Sequence, residues 1–263
     1  MRKYYAFIVL FVGLLHTSFG QSLPYLKEST YKEGEKLSYK LRYGMLSAAN
    51  GILTVNKPNL EFSKKNVFQL SALGQTSAAF SFFHTVKNKY DSYVDKETYM
   101  PLLYIEDIEE GKYRRKEYAT FNHQTRTVKG AKGTFTNKSP QTFDLLSAYY
   151  FSRNLDLSSL KSGDSFKIAY FLNDETAELK ITYVGTEKVK TSLGVIDCIK
   201  LNPEIKPGRI FKKDSKLYLW VTNDGNRIPV KAQVEVLIGS ITMELTKAEG
   251  LKYELGKKVS YSK

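Results

Sequence analysis

The sequence predicts a mainly β fold, in which a curved antiparallel sheet packs against one short helix. Apolar and polar residues alternate with a period of two along most of the chain after residue 20, as in strands with one buried and one solvated face. Aromatic residues make up 13% of the chain, chiefly 19 tyrosines and 15 phenylalanines, and flat rings pack well on a pleated sheet. A single segment has helical spacing instead.

The first strand, at 36–43, shows the alternation most clearly. Leucine and tyrosine alternate along it with lysine, serine and arginine, so one face is apolar and the other is polar. The same pattern returns at 177–183 and 230–236. Further strands are predicted at 51–55, 67–73, 90–94, 102–108, 115–121, 166–172, 195–201, 217–221 and 241–245.

Turn residues separate these strands. The segment 223–226 contains an Asp-Gly pair between two alternating runs, which predicts a hairpin that joins strand 217–221 to strand 230–236. The polar, glycine-bearing segment 122–133 predicts either another hairpin or a loop.

The one predicted helix covers 142–154. Leu145, Ala148 and Tyr149 recur at helical spacing, and Thr142 is a suitable N-cap residue. We expect this helix to cover or plug the concave face of the sheet, a position from which it could also gate a cavity.

The first twenty residues predict export. Arg2 and Lys3 precede an apolar run of about eleven residues, and Ser18-Phe19-Gly20 has the small-x-small pattern of a cleavage site. The apolar run is shorter than the ~20 residues that a membrane span requires, and Gln21 is not the cysteine of a lipid-anchored protein. We therefore predict a signal peptide at 1–20 that is cleaved after Gly20. The mature chain, 21–263, is expected to be a single β-rich domain in the periplasm and not an integral membrane protein.

The net charge of +13, which falls to +11 when Arg2 and Lys3 are removed, favours anionic partners. Lipid headgroups or an anionic envelope component are candidates, whereas nucleic acid is not expected for an exported protein. The short basic clusters are interpreted as solvated turns or sheet edges, because lysine on an edge blocks unwanted strand pairing. These clusters lie at 64–65, 114–116, 212–213 and 257–258.

The sequence after residue 20 shows neither the residue spacing of a metal site nor a complete hydrolase motif. After residue 20 the histidines are His84 and His123, and neither has nearby residues at the spacing of metal ligands, so no metal and no cofactor are predicted. The S-x-x-K patterns at 29–32 and 158–161 lack their companion motifs and are interpreted as turns.

Two further features are interpreted structurally. Glu106, Asp107, Glu109 and Glu110 could serve a glycoside hydrolase, but alternation places Glu106 and Asp107 on opposite faces, so the cluster is interpreted as a solvated strand end. The lone Cys198 lies in an apolar strand and is interpreted as a packing residue.

Four stretches together resemble one family of exported bacterial proteins, the domain of unknown function DUF3108. They are YVDKETYMPLLYIEDIEEGKY (93–113), TFDLLSAYYFSRNLDLSSLKSGDSF (142–166), TSLGVIDCIKLNP (191–203) and KLYLWVTNDGNRIPVKAQVEVLIGSITMEL (216–245). The resemblance covers roughly residues 30–250. This sequence departs from the family pattern at Gly225, which is inserted where the family is expected to have Asp followed directly by Asn.

The resemblance implies location and fold, because the family has no assigned activity. Its members look similar to the lipoprotein carriers of the periplasm, in which a curved sheet forms an open or incomplete β-barrel around a helix. The expected fold is therefore such a barrel with one short helix packed on or in it. If its concave face holds a cavity, Tyr149, Tyr218 and Trp220 are the expected ligand-binding residues, although a packed second layer or a helix contact is the simpler explanation of Tyr218 and Trp220.

Three functional hypotheses remain open. The first is a non-catalytic carrier or binding protein for a lipid-like, hydrophobic or amphipathic molecule. The second is an assembly or structural protein that binds a protein partner in the cell envelope. The third is a hydrolase of envelope polysaccharide that uses the carboxylates at 106–110.

Overall fold

The computed structural model describes residues 23–26, 28–62, 65–82, 84–205, 215–236 and 239–258. The predicted signal peptide and the 212–213 cluster lie outside these residues. The first eight strands are β1 (Lys36–Tyr43), β2 (Leu46–Asn56), β3 (Val67–Thr76), β4 (Val86–Asp95), β5 (Pro101–Glu110), β6 (Tyr113–Asn122), β7 (Thr127–Gly130) and β8 (Gly133–Thr136). The remaining six are β9 (Ser165–Leu172), β10 (Glu175–Thr191), β11 (Gly194–Pro203), β12 (Leu217–Thr222), β13 (Pro229–Glu235) and β14 (Ser240–Glu249). The helices are α1 (Ala78–Ser81) and α2 (Leu145–Arg153).

The fourteen strands form one antiparallel sheet that curves without closing. Its order is β8-β7-β6-β5-β4-β3-β2-β1-β14-β13-β12-β11-β10-β9, so β8 and β9 are its two edges. Side chains bring the edges together, because Phe171 of β9 packs with Phe121, Val128 and Phe135. The backbone N–H of Lys132 also donates to Asp174 Oδ1, at 3.3 Å. The predicted open barrel with a short helix is confirmed.

Every predicted strand is present, with boundaries that differ by a few residues. The segment 122–133 contains the turn that leads into β7 and most of the β7–β8 hairpin. Strand β10 continues to Thr191, well past the predicted end at residue 183. A register shift between Tyr183 and Gly185 interrupts the alternation there while pairing with β11 continues, so the pattern fades before the strand ends.

The β12–β13 hairpin has the predicted pairing, and a loop longer than a two-residue turn joins its strands. The N–H of Thr222 donates to the Ile228 carbonyl at 2.8 Å, which closes a loop of the five residues 223–227. The Asp224 carboxylate organises this loop by accepting the N–H groups of Asn226 and Arg227. Arg227 has the positive φ, at 50°, so the loop does not depend on Gly225 for that conformation.

Helix α2 starts three residues later than predicted, and Thr142 is not its N-cap. Phe143 is held in an extended bridge with β9, since its N–H donates to the Ala169 carbonyl and its carbonyl accepts from Phe171. The helix can begin only after this bridge. Asp144 is the N-cap, and its Oδ1 accepts from the N–H groups of Leu146 and Ser147, each at 2.9 Å.

The C-terminal end of α2 is fixed by a buried ion pair. Arg153 donates from Nη1 to Glu35 Oε1 at 2.6 Å and from Nη2 to Glu35 Oε2 at 2.8 Å, and its Nε donates to the Asn226 carbonyl. The two side chains are 1% and 0% exposed. The guanidinium also lies 5.2 Å from the ring centroids of Tyr31 and Tyr150. The helix is therefore tied to the start of β1 and to the β12–β13 loop.

Cys198 is fully buried in β11, which confirms its interpretation as a packing residue. Burial raises the pKa of its thiol to about 12.

No helix in the described ranges is long and apolar enough to span a bilayer.

Burial of Cys198 makes its thiol unreactive in the native protein. At pH 8 the group is protonated as well as inaccessible, and only the thiolate attacks a disulfide reagent. We expect Ellman's reagent to release no colour from the native protein within an hour and one equivalent after denaturation in urea. The chain has one cysteine, so no other thiol contributes to the signal. Rapid release from the native protein would contradict the burial of β11.

Candidate functional site

A groove of about 750 Å³ lies between α2 and the inner face of the sheet. Its size falls within the ~300–1,000 Å³ of typical small-molecule sites. Both halves of the sheet contribute to its lining, together with the first turns of α2. Its apolar lining includes Leu53, Ala72, Leu146, Leu219, Pro229 and Met243. Four tyrosines also line it, at positions 90, 104, 113 and 149.

The floor of the groove changes from apolar to charged along one row of the sheet. Leu53 of β2 lies opposite Ala72 of β3, Ala72 lies opposite Tyr90 of β4, and Tyr90 lies opposite Glu106 of β5. Directly opposite residues of an antiparallel sheet share one face, so all four side chains belong to the same floor. This polarity gradient suits a molecule with an apolar part and a polar part.

The groove opens between the β5–β6 turn and the start of α2. Tyr113 and Leu145 both line it, and they are 54% and 46% exposed. Leu146, the next residue of the helix, is buried. Large side chains that are partly in the groove and partly in solvent mark this side as its mouth.

An ion pair forms the charged wall. Arg115 Nη2 lies 2.6 Å from Glu106 Oε1, and the Tyr104 hydroxyl donates to Glu106 Oε2 at 3.4 Å. The β5–β6 turn sets this geometry, because Gly111 adopts a φ of +57° and places Ile108 opposite Arg115. Glu106 and Arg115 are thereby diagonal neighbours on one face of the hairpin.

Burial raises the pKa values of several titratable side chains that line the groove. It raises the pKa of Glu106, an effect that the neighbouring Arg115 partly offsets. It also raises the pKa values of Tyr90, Tyr104 and Tyr149. The tyrosines therefore remain neutral hydroxyl groups at physiological pH, able to donate or accept a hydrogen bond.

The structure separates the three residues that the sequence placed at a ligand site. Tyr149 lines the groove from α2. Tyr218 and Trp220 lie on the other face of β12, while Leu219 between them lines the groove. Trp220 belongs to a cluster that also contains Leu37, Cys198 and Ile228, and its indole Nε1 donates to Glu187. Neither Tyr218 nor Trp220 lines the groove.

The carboxylate cluster divides between the two faces as alternation predicts, but Glu106 is not solvated. Glu106 and Glu110 line the groove, and Glu106 is only 7% exposed. Asp107 and Glu109 alternate with them and pair with Lys116 and Arg114 on the outer face. The interpretation of the whole cluster as a solvated strand end is wrong for Glu106, because its side chain is buried on the inner face beside Tyr104 and Arg115.

Arg115 is the groove residue that the sequence interpretation missed. The cluster at 114–116 was interpreted as a solvated turn or edge, and Arg114 and Lys116 are indeed exposed. Arg115 points to the inner face instead. The available signal was the short turn at Gly111, which fixes the register of the hairpin and puts Glu106, Ile108 and Arg115 on one face.

His84 and His123 lie in different surroundings, and neither belongs to a group of metal-ligating side chains among the described residues. Among the residues that the structure describes, no three His, Cys, Asp or Glu side chains are grouped closely enough to hold a metal ion. His123 Nε2 lies 2.6 Å from the Pro101 carbonyl, and burial lowers its pKa.

Comparisons with known proteins agree with the fold and leave the ligand open. A family model described as "Protein of unknown function (DUF3108)" matches residues 38–246, which run from β1 to β14. No curated protein matches the chain.

Two solved structures are similar over most of the chain. A beta-barrel-like protein of domain of unknown function DUF1849 from Brucella abortus matches with a TM-score of 0.56 at 9% identity, over 87% of this chain and 100% of that chain. A Bacteroides fragilis protein with a YmcC-like fold matches with a TM-score of 0.40 at 12% identity, over 86% of this chain and 100% of that chain. The first of the two supports the barrel-like fold, and neither identifies a ligand.

Proposed function

We propose that this chain, which belongs to the DUF3108 family, is a non-catalytic carrier or binding protein for an amphipathic, lipid-like molecule and works in the periplasm. The observation that carries this proposal is the groove beneath α2, with its aliphatic floor, its tyrosines and one charged wall. No cofactor is required for such a function.

The composition of the groove favours an alkyl or acyl chain as the buried part of the ligand. Leu53, Ala72 and Met243 come from neighbouring parts of the sheet, and Leu146 comes from the helix above them. Covering apolar surface contributes roughly 25 cal/mol per Å², so a flexible chain that fills this space gains binding energy without specific hydrogen bonds. The Glu106–Arg115 wall is left for a polar group.

Export is supported by the sequence of residues 1–20, which has the charged, apolar and small-residue regions of a signal peptide. The net charge of +13, or +11 without Arg2 and Lys3, would suit an encounter with anionic envelope surfaces. In that compartment a lipid-like molecule would need shelter from water, which the groove could provide.

A protein partner in the cell envelope is the second candidate function. The β1–β2 hairpin carries Met45 and Leu46, which are 95% and 59% exposed. Large apolar side chains exposed together at a hairpin tip are more typical of an interaction surface than of a solvated turn. A partner bound there would not require the groove, because Met45 and Leu46 are not part of its lining.

Native mass spectrometry with lipid extraction tests the proposal on protein purified gently from its own periplasm. We expect a stoichiometric mass increment that organic solvent removes and that fragments as an acyl compound. A clean apo mass with a retained protein partner would overturn the carrier function in favour of the assembly function. Extraction of the same amount of protein after denaturation controls for loosely associated lipid.

A further inference from the structure

Arg115 has hydrogen-bonding capacity that the protein does not use. Its guanidinium carries five N–H donors. Nη2 contacts Glu106, Nη1 lies 3.9 Å from Glu117 Oε2, beyond hydrogen-bond distance, and buried Nε has no partner among the described residues. The side chain is 31% exposed and lines the groove. Buried Nε is out of a ligand's reach, so a ligand acceptor would bond the N–H groups of Nη1 and Nη2 that Glu106 leaves unused.

The surrounding charges decide which kind of acceptor fits. Glu106 and Glu117 lie within 4 Å of the guanidinium, and Glu110 also lines the groove. Glu110 is itself held in place, since Asn88 Nδ2 donates to its Oε1 at 2.9 Å. A ligand carboxylate at Arg115 would therefore sit among protein carboxylates, and like charges at such distances repel. A neutral oxygen accepts the same hydrogen bond without this repulsion.

We infer that Arg115 anchors a neutral carbonyl oxygen of the ligand, from an acyl ester or an acyl amide, while the attached alkyl chain runs along the floor toward Leu53. This inference rests on the proposed function and names the class of molecule that the groove takes. The Tyr90 ring lies between the two ends, opposite both Ala72 and Glu106. The carbonyl lies at the charged end of this row and the chain at its apolar end.

The test compares compounds that share a twelve-carbon chain. Methyl dodecanoate, N-methyldodecanamide, dodecanoate and tridecane displace the neutral probe N-phenyl-1-naphthylamine from delipidated mature protein at pH 7.5. We expect Arg115→Met to weaken the ester and the amide by about fivefold to tenfold, which corresponds to one lost hydrogen bond, and to leave tridecane unchanged. Dodecanoate should bind the wild-type protein more weakly than the ester does.

Two further variants keep this test decisive. Lys116→Met removes a neighbouring cation from the outer face of the same strand and should change no affinity. Arg115→Met alone leaves the Glu106 carboxylate buried and unpaired, and this variant can fold poorly for that reason. The double variant, Arg115→Met with Glu106→Gln, removes both charges and avoids this problem. It should show the same selective loss for the ester and the amide.

Each outcome has a distinct meaning. Equal loss for ester, amide and tridecane, or an unchanged ester affinity in both Arg115 variants, would overturn the role of Arg115 and leave the carrier function standing. No displacement by any compound would overturn the carrier function and the inference with it. Comparison of 1-dodecanoylglycerol with an N-dodecanoyl peptide then distinguishes a free lipid from an acylated polypeptide as the source of the carbonyl.

Discussion

Replacing Arg153 by methionine is expected to lower the free energy of unfolding by about 3–5 kcal/mol, because it leaves Glu35 as an unpaired charge in the core. The pair is bidentate and almost completely buried. Urea denaturation followed by circular dichroism measures the change, with the slope of the transition used to confirm that the native state stays compact.

Two variants test the cause of this loss. Lys167→Met breaks the pair between Lys167 and Glu178, whose side chains are 50% and 58% exposed, and should cost less than about 1 kcal/mol. Arg153→Met combined with Glu35→Leu removes both buried charges and should recover most of the stability. Similar losses for the Arg153 and Lys167 variants would show that the buried pair does not hold α2.

The same pair bears on whether α2 covers the groove or gates it. The C-terminal end of the helix is tied to Glu35 and to the Asn226 carbonyl. Its N-terminal end is capped by Asp144, which also accepts from Ser92 of β4 at 2.7 Å. A helix fixed at both ends favours a stable cover, so a ligand would enter at the mouth beside Tyr113 and Leu145.

Filling the groove is the second change with a large expected effect. Ala72 lies in the floor row between Leu53 and Tyr90, and Ala72→Trp would place a large ring in the space that an alkyl chain needs. We expect the affinity for an acyl ester to fall by about fivefold to 150-fold, the range that follows when ~1–3 kcal/mol of overpacking opposes the ligand. The displacement titration described for Arg115 measures it.

Gln75→Trp is the matched control for this variant. Gln75 lies three residues further along β3, on the outer face, and is exposed. The same ring there should leave the affinity within about twofold of wild type. Equal effects of the two substitutions, or none from Ala72→Trp while the protein remains folded, would show that the ligand does not occupy this floor.

The strands were predictable because one face of the sheet is apolar and the other polar along most of the chain. Leu37 to Tyr43 illustrate this, since their alternation alone places β1 and its inner face. Helix α2 was predictable in position but not in its first residue. Its start depends on the bridge between Phe143 and Tyr170, which joins residues far apart in sequence.

The site was less predictable than the fold. Helical spacing predicts that Tyr149 faces the sheet. Predicting the orientation of Tyr218 and Trp220 requires knowing which face of β12 is inward. Glu106 and Arg115 appear solvated when each charged cluster is considered alone. Only the register of the β5–β6 hairpin puts them side by side on the inner face, where Glu106 is buried and Arg115 is partly exposed.

Photo-crosslinking with an acyl ester that carries a diazirine at the end of its chain tests the central claim most directly, because it reports where the chain lies. Peptide mass spectrometry should locate the label at groove residues of the mature protein, chiefly Leu53, Leu219 or Met243, and Ala72→Trp should suppress it. Labelling concentrated instead on exposed outer residues such as Tyr118 and Val195, and insensitive to Ala72→Trp, would contradict binding in the groove.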